Sequence, residues 1–454
     1  MSLSSAMNTA QSIFNNTGKQ TQTVSKNMAN VGNADYARRS SITTTSLYGA
    51  QIITTARAQN DMLLRQVLSS TSQSAGQDAL LQGLKDIKSV LGGNDNESAP
   101  STYLAQFQNA LHDYAVKPND QILGMSVINA ARDVATSLNS ATEKVQSVRA
   151  DADVQIAAQV EKLNNLLKLF QEANEAVTTV TAVGRDPNDA LDVREGLLKQ
   201  ISSIVGVSTM AVENNGLALY TTGGIALFDK TPRNIEFVPR SSYDPTVVAG
   251  NPIKIDGINL PAGKEANTTA MGSLQALLQV RDEIAPTFQG QLLEFANVLT
   301  GIFAQSGLFG LVVPPSSKEI IRVTTSDPLD LRDGTGGTLN PSYPSRDAGF
   351  SGLLDQYETA LDEKHSFSLG SSSIMDFSAR SVGWLETWRS GADAANENKA
   401  ALLARSSEAY SNVTGVSLDE EMSLMLDIEQ SYKAAAKLLA AVDEMLKTLL
   451  ALGN

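Results

Sequence analysis

The stretch from Ser417 to Leu452 reads SLDEEMSLMLDIEQSYKAAAKLLAAVDEMLKTLLAL. Its apolar residues recur in alternate steps of four and three, which is the heptad pattern of a helix that packs lengthwise against another helix. Further apolar residues widen the stripe, so that it can contact more than one neighbour. The stripe residues that we assign to an assembly interface are Leu424, Ile428, Leu438, Val442, Met445, Leu449 and Leu452.

Capping residues mark the start of this helix. Ser417 lies three residues before Glu420, which is the capping-box spacing. The carboxylates of Asp419 and Glu421 favour the positive end of the helix dipole, and Gly415 acts as a breaker before it. We therefore interpret all three carboxylates as helix-capping residues.

The N-terminal segment repeats the pattern. Thr17 and Thr21 make its middle polar, so that this helix needs a partner to become ordered. We expect the two terminal helices to pair and their surplus apolar face to dock on other subunits. The alternative is that both belong to one buried helical core. The N-terminal residues that we assign to the interface are Leu3, Met7, Phe14, Val24, Met28 and Val31.

The centre of the chain predicts one very long helix. Residues 125–183 contain neither Gly nor Pro, and they carry an apolar seam with a stutter near Ala152. A helix of roughly 60 residues is about 90 Å long. After Gly206 the apolar residues alternate with a period of two, and Asn214-Asn215-Gly216 and Gly223-Gly224 are hairpin signals.

The fold class that follows is mainly α with an inserted β-rich module. Long, coiled-coil-like helical bundle domains are formed by the N- and C-terminal parts of the chain. We expect a terminal helical assembly domain (1–40 and 420–454), a long-helix bundle (41–205, 268–305 and 350–419) and a β-rich outer module (206–267 and 306–349).

Composition excludes several classes of function. The net charge of -14 argues against nucleic acid as a partner, because phosphate binding needs a basic face. The chain has no cysteine, its two histidines lie far apart, and no phosphate loop, nucleophile elbow or dinucleotide fingerprint is present. We expect no enzyme activity, catalytic residue, metal or cofactor, no cleaved signal peptide and no membrane insertion.

The segment after the N-terminal helix resembles a known signature. Asn27 and Asn30, followed by Tyr36 and Arg38, are similar to the Asn-x-x-Asn and Gly-Tyr-Ser/Thr-Arg pattern of bacterial flagellar rod, hook and hook-associated proteins. Asp35 stands where that family usually has Gly.

Three further segments narrow the resemblance to the hook-associated protein 1 family, which forms a hook-filament junction. They are the stretch around Arg194, the helix containing Arg281-Asp282, and the C-terminal stretch from Gly415 through Asp419, Glu420 and Glu421. Alternatives within and outside this class are the hook protein, the third hook-associated protein, and a secreted coiled-coil type III effector or translocator.

The resemblance implies a structural subunit of the bacterial flagellum. It implies type III export without a cleaved signal peptide, and assembly outside the cell as a helical ring of copies between hook and filament. The implied partners are the chain itself, the hook protein, the second junction protein with flagellin beyond it, and an export chaperone on the C-terminal helix.

Overall fold

The computed structural model describes residues 3–45, 51–92, 96–335 and 349–452. Most of these residues are helical, and short antiparallel strands interrupt the helices. The helices are α1 (Leu3–Ala29), α2 (Asp61–Lys88), α3 (Pro100–Val116), α4 (Gln121–Ala182), α5 (Asn188–Ile204), α6 (Ser273–Gln279), α7 (Ala285–Ile302), α8 (Pro328–Asp333), α9 (Gly352–Asp362), α10 (Ile374–Thr414) and α11 (Leu418–Leu452).

The strands form small antiparallel sheets. A four-stranded sheet has the order β3-β4-β5-β6, a three-stranded sheet has the order β7-β8-β9, and the others are two-stranded hairpins. The strands are β1 (Arg39–Thr45), β2 (Gln51–Arg57), β3 (Val207–Ala211), β4 (Leu217–Thr221), β5 (Ala226–Asp229), β6 (Thr231–Pro232), β7 (Ile235–Glu236), β8 (Lys254–Ile255), β9 (Ile258–Asn259), β10 (Phe309–Leu311), β11 (Ile321–Val323), β12 (His365–Phe367) and β13 (Gly370–Ser372).

The predicted fold class is confirmed, and the long central helix is its clearest feature. Helix α4 has 62 residues, and Asp120 caps it by accepting hydrogen bonds from the N–H groups of Ile122 and Leu123. A helix of that length is about 90 Å long. It packs against α3, α5 and α7, while α2 packs along α10.

Two hydrophobic clusters lie along α4. The first packs the half of α4 up to Val148 against α3, α7, α9 and α10. The second packs the half from Ala152 onward against α5, α6 and strands β4, β5, β7 and β8. Arg149 and Asp153 are buried polar residues between the clusters, at the position of the predicted stutter. A polar layer therefore separates two apolar cores on one continuous helix.

The two segments assigned to the β-rich module pack in different places. Residues of β4, β5, β7 and β8 belong to the second cluster. Leu308, Phe309, Ile320 and Leu331 belong instead to the first cluster, with the helices. Residues 336–348 of this predicted module lie outside the described residues. The division into three domains stays a prediction.

Two elements differ from the sequence-based expectations. The hairpin β1–β2 was not predicted, since its Thr-rich strands follow an N-terminal helix without a strong apolar alternation. A π-helical turn, Val280–Ile284, lies immediately before α7, whose second residue is Pro286, and this turn was not predicted either. A π turn of this kind is common at functional positions in helices.

Gly272 is the point where α6 starts against two other helices. Its φ is +94°, and a Cβ there would lie 2.4 Å from the carbonyl oxygen of Ile204. Gly272→Ala is expected to lower the free energy of unfolding by about 3 kcal/mol, because backbone strain and a steric clash add. The midpoint of urea unfolding measures this effect.

Gly290 supplies the matched control. It lies inside α7, and a Cβ there would meet no atom within 4 Å. Gly290→Ala is expected to stabilise the chain by about 0.5–1 kcal/mol, since Ala loses less backbone entropy in a helix. Equal unfolding midpoints for the two variants would show that the Gly272 turn imposes no steric constraint.

Candidate assembly site

Helices α1 and α11 pair side by side in opposite directions. The ring of Phe14 in α1 meets the ring of Tyr432 edge to face, with centroids 4.9 Å apart. Further along the chain, Arg38 reaches Glu421 at the start of α11. Because a later position of the N-terminal segment meets an earlier position of α11, the pair is antiparallel. The expected pairing of the two terminal helices is observed.

The contact seam repeats every seven residues on both helices. Thr17 is polar but buried, and its hydroxyl donates a hydrogen bond to the carbonyl of Ile13 at 2.9 Å, so no polar group is left unsatisfied there. A strict seven-residue repeat is the geometry of a coiled coil. The buried seam residues are Ala10, Thr17 and Val24 in α1 and Glu421, Ile428, Ala435 and Val442 in α11.

The predicted interface residues divide into three groups in the structure. The side chains of Leu3, Leu449 and Leu452 lie outside the described residues, although their backbones belong to α1 and α11. The others are buried (Val24, Ile428, Val442), half-buried (Phe14, Met28) or exposed (Met7, Val31, Leu424, Leu438, Met445).

One flank of α11 faces α1, and the other flank is open. The sequence predicts that the two terminal helices pair and that their surplus apolar face docks on other subunits. Among the described residues, the line of Ile428 and Val442 is covered and the other line is not, because α1 contacts a single flank of α11. We call the uncovered line, Leu424, Leu438 and Met445, the open stripe. Its role as an interface stays a prediction.

The Asn of the N-terminal signature organises the turn that follows α1. Asn27 is fully buried. Its Oδ1 accepts hydrogen bonds from the Tyr36 hydroxyl at 2.8 Å and from the Arg39 N–H at 3.0 Å, while its Nδ2 donates to the Arg39 carbonyl at 2.8 Å. Asn30 accepts a bond from the Asn33 amide at 3.2 Å. These amides fix the chain as it leaves α1 and enters β1.

Two neighbouring arginines then connect different helices. The Arg38 guanidinium lies 3.1 Å from a carboxylate oxygen of Glu420 and 2.7 Å from one of Glu421. The Arg39 guanidinium points elsewhere and binds Asp189 at 2.5 Å and Asp192 at 2.7 Å on α5. Successive side chains of an extended chain point to opposite sides. This alternation lets adjacent residues hold α11 and α5 at once.

A third arginine completes the network. Arg57, at the end of β2, binds Asp192 at 2.7 Å and Glu195 at 2.8 Å. The Tyr410 hydroxyl of α10 donates to Glu195 at 2.7 Å, and burial raises the pKa of that tyrosine. We call Arg38, Arg39, Arg57, Asp192, Glu195 and Glu421 the arginine junction. It joins the terminal coiled coil to α5 and α10.

Sequence reasoning missed most of this junction. Asp189, Asp192 and Glu195 recur every three residues, which places three carboxylates on one face of α5. Paired with the adjacent Arg38-Arg39, that spacing was a usable signal of an ion-pair network. It was passed over because nothing in the sequence shows that residues about 150 positions apart meet.

The C-terminal signature residues play different parts. Gly415 ends α10, and a Cβ there would lie 2.6 Å from the carbonyl oxygen of Ser411. The Ser417 hydroxyl accepts a bond from the Glu420 N–H at 3.5 Å, as a cap would. Glu421 lies in the first turn of α11, where its charge favours the helix dipole as expected, and its fully buried carboxylate also binds Arg38, which was not predicted.

Removing the Arg38 side chain tests the connection between Arg38 and α11. Arg38→Ala leaves the buried Glu421 carboxylate unpaired, which costs about 3–5 kcal/mol. We expect faster amide hydrogen exchange in the first turns of α11. The double variant Arg38→Met with Glu421→Leu should recover most of the protection, because it removes both charges. Unchanged exchange in Arg38→Ala would contradict the role of this pair.

The other two signature arginines hold the β region against α4. Arg281 is fully buried and binds Asp153 at 2.6 Å and its neighbour Asp282 at 2.6 Å. In the π turn the Ala285 N–H bonds to Val280, and Pro286 has no N–H, so the Arg281 carbonyl has no donor in its own helix. The Arg149 guanidinium supplies that donor at 3.0 Å.

Arg194 holds the β3–β4 hairpin in the same manner. Its Nη1 donates to the side-chain oxygen of Asn174 on α4 at 2.9 Å and to the carbonyl of Asn215 at 2.6 Å. Asn214 and Asn215 both have positive φ angles, which forms the predicted turn. These signature residues therefore position structural elements rather than reacting groups.

Within the described residues, no group of three or more His, Asp or Glu side chains is placed to hold a metal ion. His112 pairs with Glu358 at 3.1 Å on the surface, and His365 lies 2.9 Å from the carbonyl of Ala360. A search of the same part of the chain finds no helix long and apolar enough to cross a membrane.

Two family models match the chain. Residues 84–306 match the flagellar hook-associated protein FlgK helical domain, and residues 408–452 match the C-terminal region of the flagellar basal body rod FlgEFG proteins. The first match contains Arg194, Arg281 and Asp282, and the second contains α11. The two matches cover segments that the arginine junction connects.

Curated relatives support the same family. The chain is 24% identical to flagellar hook-associated protein 1 of Bacillus subtilis over 419 residues, which is 83% of this chain and 80% of that protein. It is 26% identical to the protein of that name from Salmonella typhimurium over 287 residues, 60% of this chain. The aligned region spans about half (51%) of the Salmonella protein.

A solved structure shares the fold. The flagellar hook junction protein FlgK from Burkholderia pseudomallei superposes with a TM-score of 0.61 at 12% identity, covering 76% of this chain and 99% of that one. At this identity the likeness concerns the fold alone. With the two family models and the curated relatives, it leads to one conclusion: the chain resembles flagellar hook-associated protein 1 along most of its length.

Proposed function

We propose that the chain is a structural subunit of the bacterial flagellum that joins hook to filament and polymerises through its terminal helices. The observation that carries this proposal is the open stripe on α11. Leu424, Leu438 and Met445 are 38%, 36% and 49% exposed although they lie on a coiled-coil helix. Apolar residues lined up along one helix face mark a surface that another helix covers.

Covering the stripe supplies the energy for assembly. Complete burial of one Leu or Met side chain stabilises a protein by about 1.5–3 kcal/mol. These residues are partly exposed in the single chain, so covering them in the assembly contributes the remaining part of that free energy. Met422, Leu426 and Leu446 are also exposed on α11. Contact with a neighbouring copy over this surface therefore stabilises the assembly by several kcal/mol. The same contact recurs at each subunit of a helical ring.

The partners we propose follow from this position. Copies of the chain contact one another through the terminal coiled coil, with the hook protein on one side and the second junction protein and flagellin on the other. Before assembly, an export chaperone covers the apolar face of α11 in the cytoplasm, since an exposed stripe aggregates. The subunit is exported and functions outside the cell.

A second candidate is another flagellar axial protein, such as a hook protein. The match of residues 408–452 to a model named for rod proteins favours this alternative. The match of residues 84–306 to a hook-associated helical domain favours the junction. We therefore prefer the junction role.

Deletion of the coding sequence in its own host tests the proposal. The expected phenotype is an intact hook, no filament, and flagellin released as monomers into the medium. Complementation with the full chain should restore filaments. Absence of the hook itself would point to a rod or hook role, and normal filaments would contradict the proposal.

A further inference from the structure

A small cavity lies where the start of α2, the middle of α5 and the β3–β4 hairpin meet. Its volume is about 200 Å³. That space holds about six or seven water molecules, which matches a short side chain rather than a peptide segment. Leucines such as Leu64 and Leu198 form its apolar wall, and its charged lining side chains are Arg65, Arg194, Asp61 and Glu195.

Arg194 reaches this cavity with part of its hydrogen-bonding capacity unused. The residue is 6% exposed, and both of its hydrogen bonds come from Nη1 and go to neutral oxygens. Its Nε is buried without a partner among the described residues. Burial lowers the pKa of this guanidinium to about 10, although the charges of Glu195 and Asp61 act to raise it.

Other buried arginines of the described chain are satisfied differently. Arg39, Arg281 and Arg332 each bind at least one carboxylate directly. Arg149 binds no carboxylate, but all three of its nitrogens donate hydrogen bonds. Arg194 has neither arrangement. A carboxylate that binds a buried guanidinium of this kind stabilises its positive charge.

The surroundings of the cavity favour an anion. Arg65 is exposed on the cavity wall and makes no ion pair among the described residues. The 28-residue helix α2 starts there and directs its positive dipole end toward the site. Glu195 also lines the cavity, but Arg57 and Tyr410 occupy its oxygens. Asp61 is the carboxylate left to oppose an incoming anion.

We propose that this cavity binds the carboxylate of an Asp or Glu side chain that a second copy of the chain presents in the assembled layer. This step rests on the proposed function. Each copy carries 49 acidic and 35 basic residues, so copies packed together present surplus carboxylates to one another. The two guanidinium groups bind the carboxylate, and the leucines contact its aliphatic stem.

A capped amino acid tests the cavity without assembly. The probe is N-acetyl-glutamate methylamide, titrated into the unassembled full-length chain at constant ionic strength and followed by the Arg194 Nε–H signal. We expect one saturable transition, and the neutral glutamine analogue should bind at least about tenfold more weakly. No saturable transition, or equal binding of the neutral analogue, would overturn the proposal.

Three exposed-site variants keep the test independent of folding. Arg65→Gln should weaken probe binding about fivefold, and Asp61→Asn should strengthen it about threefold, since they remove charges of opposite sign at the cavity. Arg132→Gln, an exposed arginine on α4, is the matched control and should change nothing. Equal binding in all three variants would place the probe elsewhere.

Assembly of purified subunits tests the source of the carboxylate. Arg65→Gln should assemble at a higher critical concentration than the wild type and the Arg132→Gln control. If the cavity binds the probe but Arg65→Gln assembles like the wild type, the carboxylate does not come from a second copy, and that part of the proposal is overturned. A wild-type chain that binds the probe but never assembles would count against the proposed function instead.

Discussion

A Leu438→Asp variant is expected to fold normally and to form no filament. Leu438 is 36% exposed in the single chain, so a carboxylate at this position can stay in contact with solvent. In the assembled layer the same position lies in the open stripe, where a buried carboxylate costs several kcal/mol. Motility and the amount of flagellin released into the medium measure the loss of filaments. The thermal unfolding midpoint should shift by no more than about 2 °C.

Ala440→Asp is the matched control for this prediction. Ala440 is exposed on α11 two residues further on, which is about 200° around the helix from Leu438. It introduces the same charge into the same helix but away from the open stripe. Filaments should form in this variant. If Leu438→Asp cells swim as well as Ala440→Asp cells, the open stripe is not an interface.

An Asp192→Asn variant should be strongly destabilised. Asp192 is 8% exposed and binds the guanidinium groups of both Arg39 and Arg57, whose side chains are each 3% exposed. Neutralising it leaves two buried cations short of a partner, which costs about 3–5 kcal/mol. Urea unfolding monitored by helical signal should show a clearly lower midpoint.

Asp189→Asn is the control for the junction. Asp189 binds Arg39 and Lys26, but its side chain is 75% exposed. Exposed ion pairs contribute at most about 1 kcal/mol, so this variant should unfold close to the wild-type midpoint. If the two variants lower the urea unfolding midpoint by similar amounts, the burial of Asp192 does not determine the strength of the junction.

The helical part of the fold could be predicted from the sequence because its determinants are local. The absence of Gly and Pro from residues 125–183 indicated α4, which spans Gln121–Ala182. The alternating residues after Gly206 indicated β3 to β5. Periodicity is a property of neighbouring residues, and it is visible without knowing what the element packs against.

The site was predicted less completely, for a physical reason. A heptad indicates which helix face is apolar, but not which flank a single partner covers. Val442 is buried while Met445 is exposed, although both fit the repeat. Glu421 met the requirements of a dipole-favouring residue at a helix start, so its ion pair with Arg38 was not foreseen. Such long-range contacts depend on which distant segments the tertiary fold brings together, and the local periodicity of the sequence does not show this.

The most direct test of the account is a structure of the native hook-filament junction by electron cryomicroscopy. We expect a layer of this chain in which Leu424, Leu438 and Met445 are covered by helices of neighbouring copies, while α1 stays paired with the other flank of α11. A layer in which these residues face solvent, or a junction that lacks the chain, would contradict it.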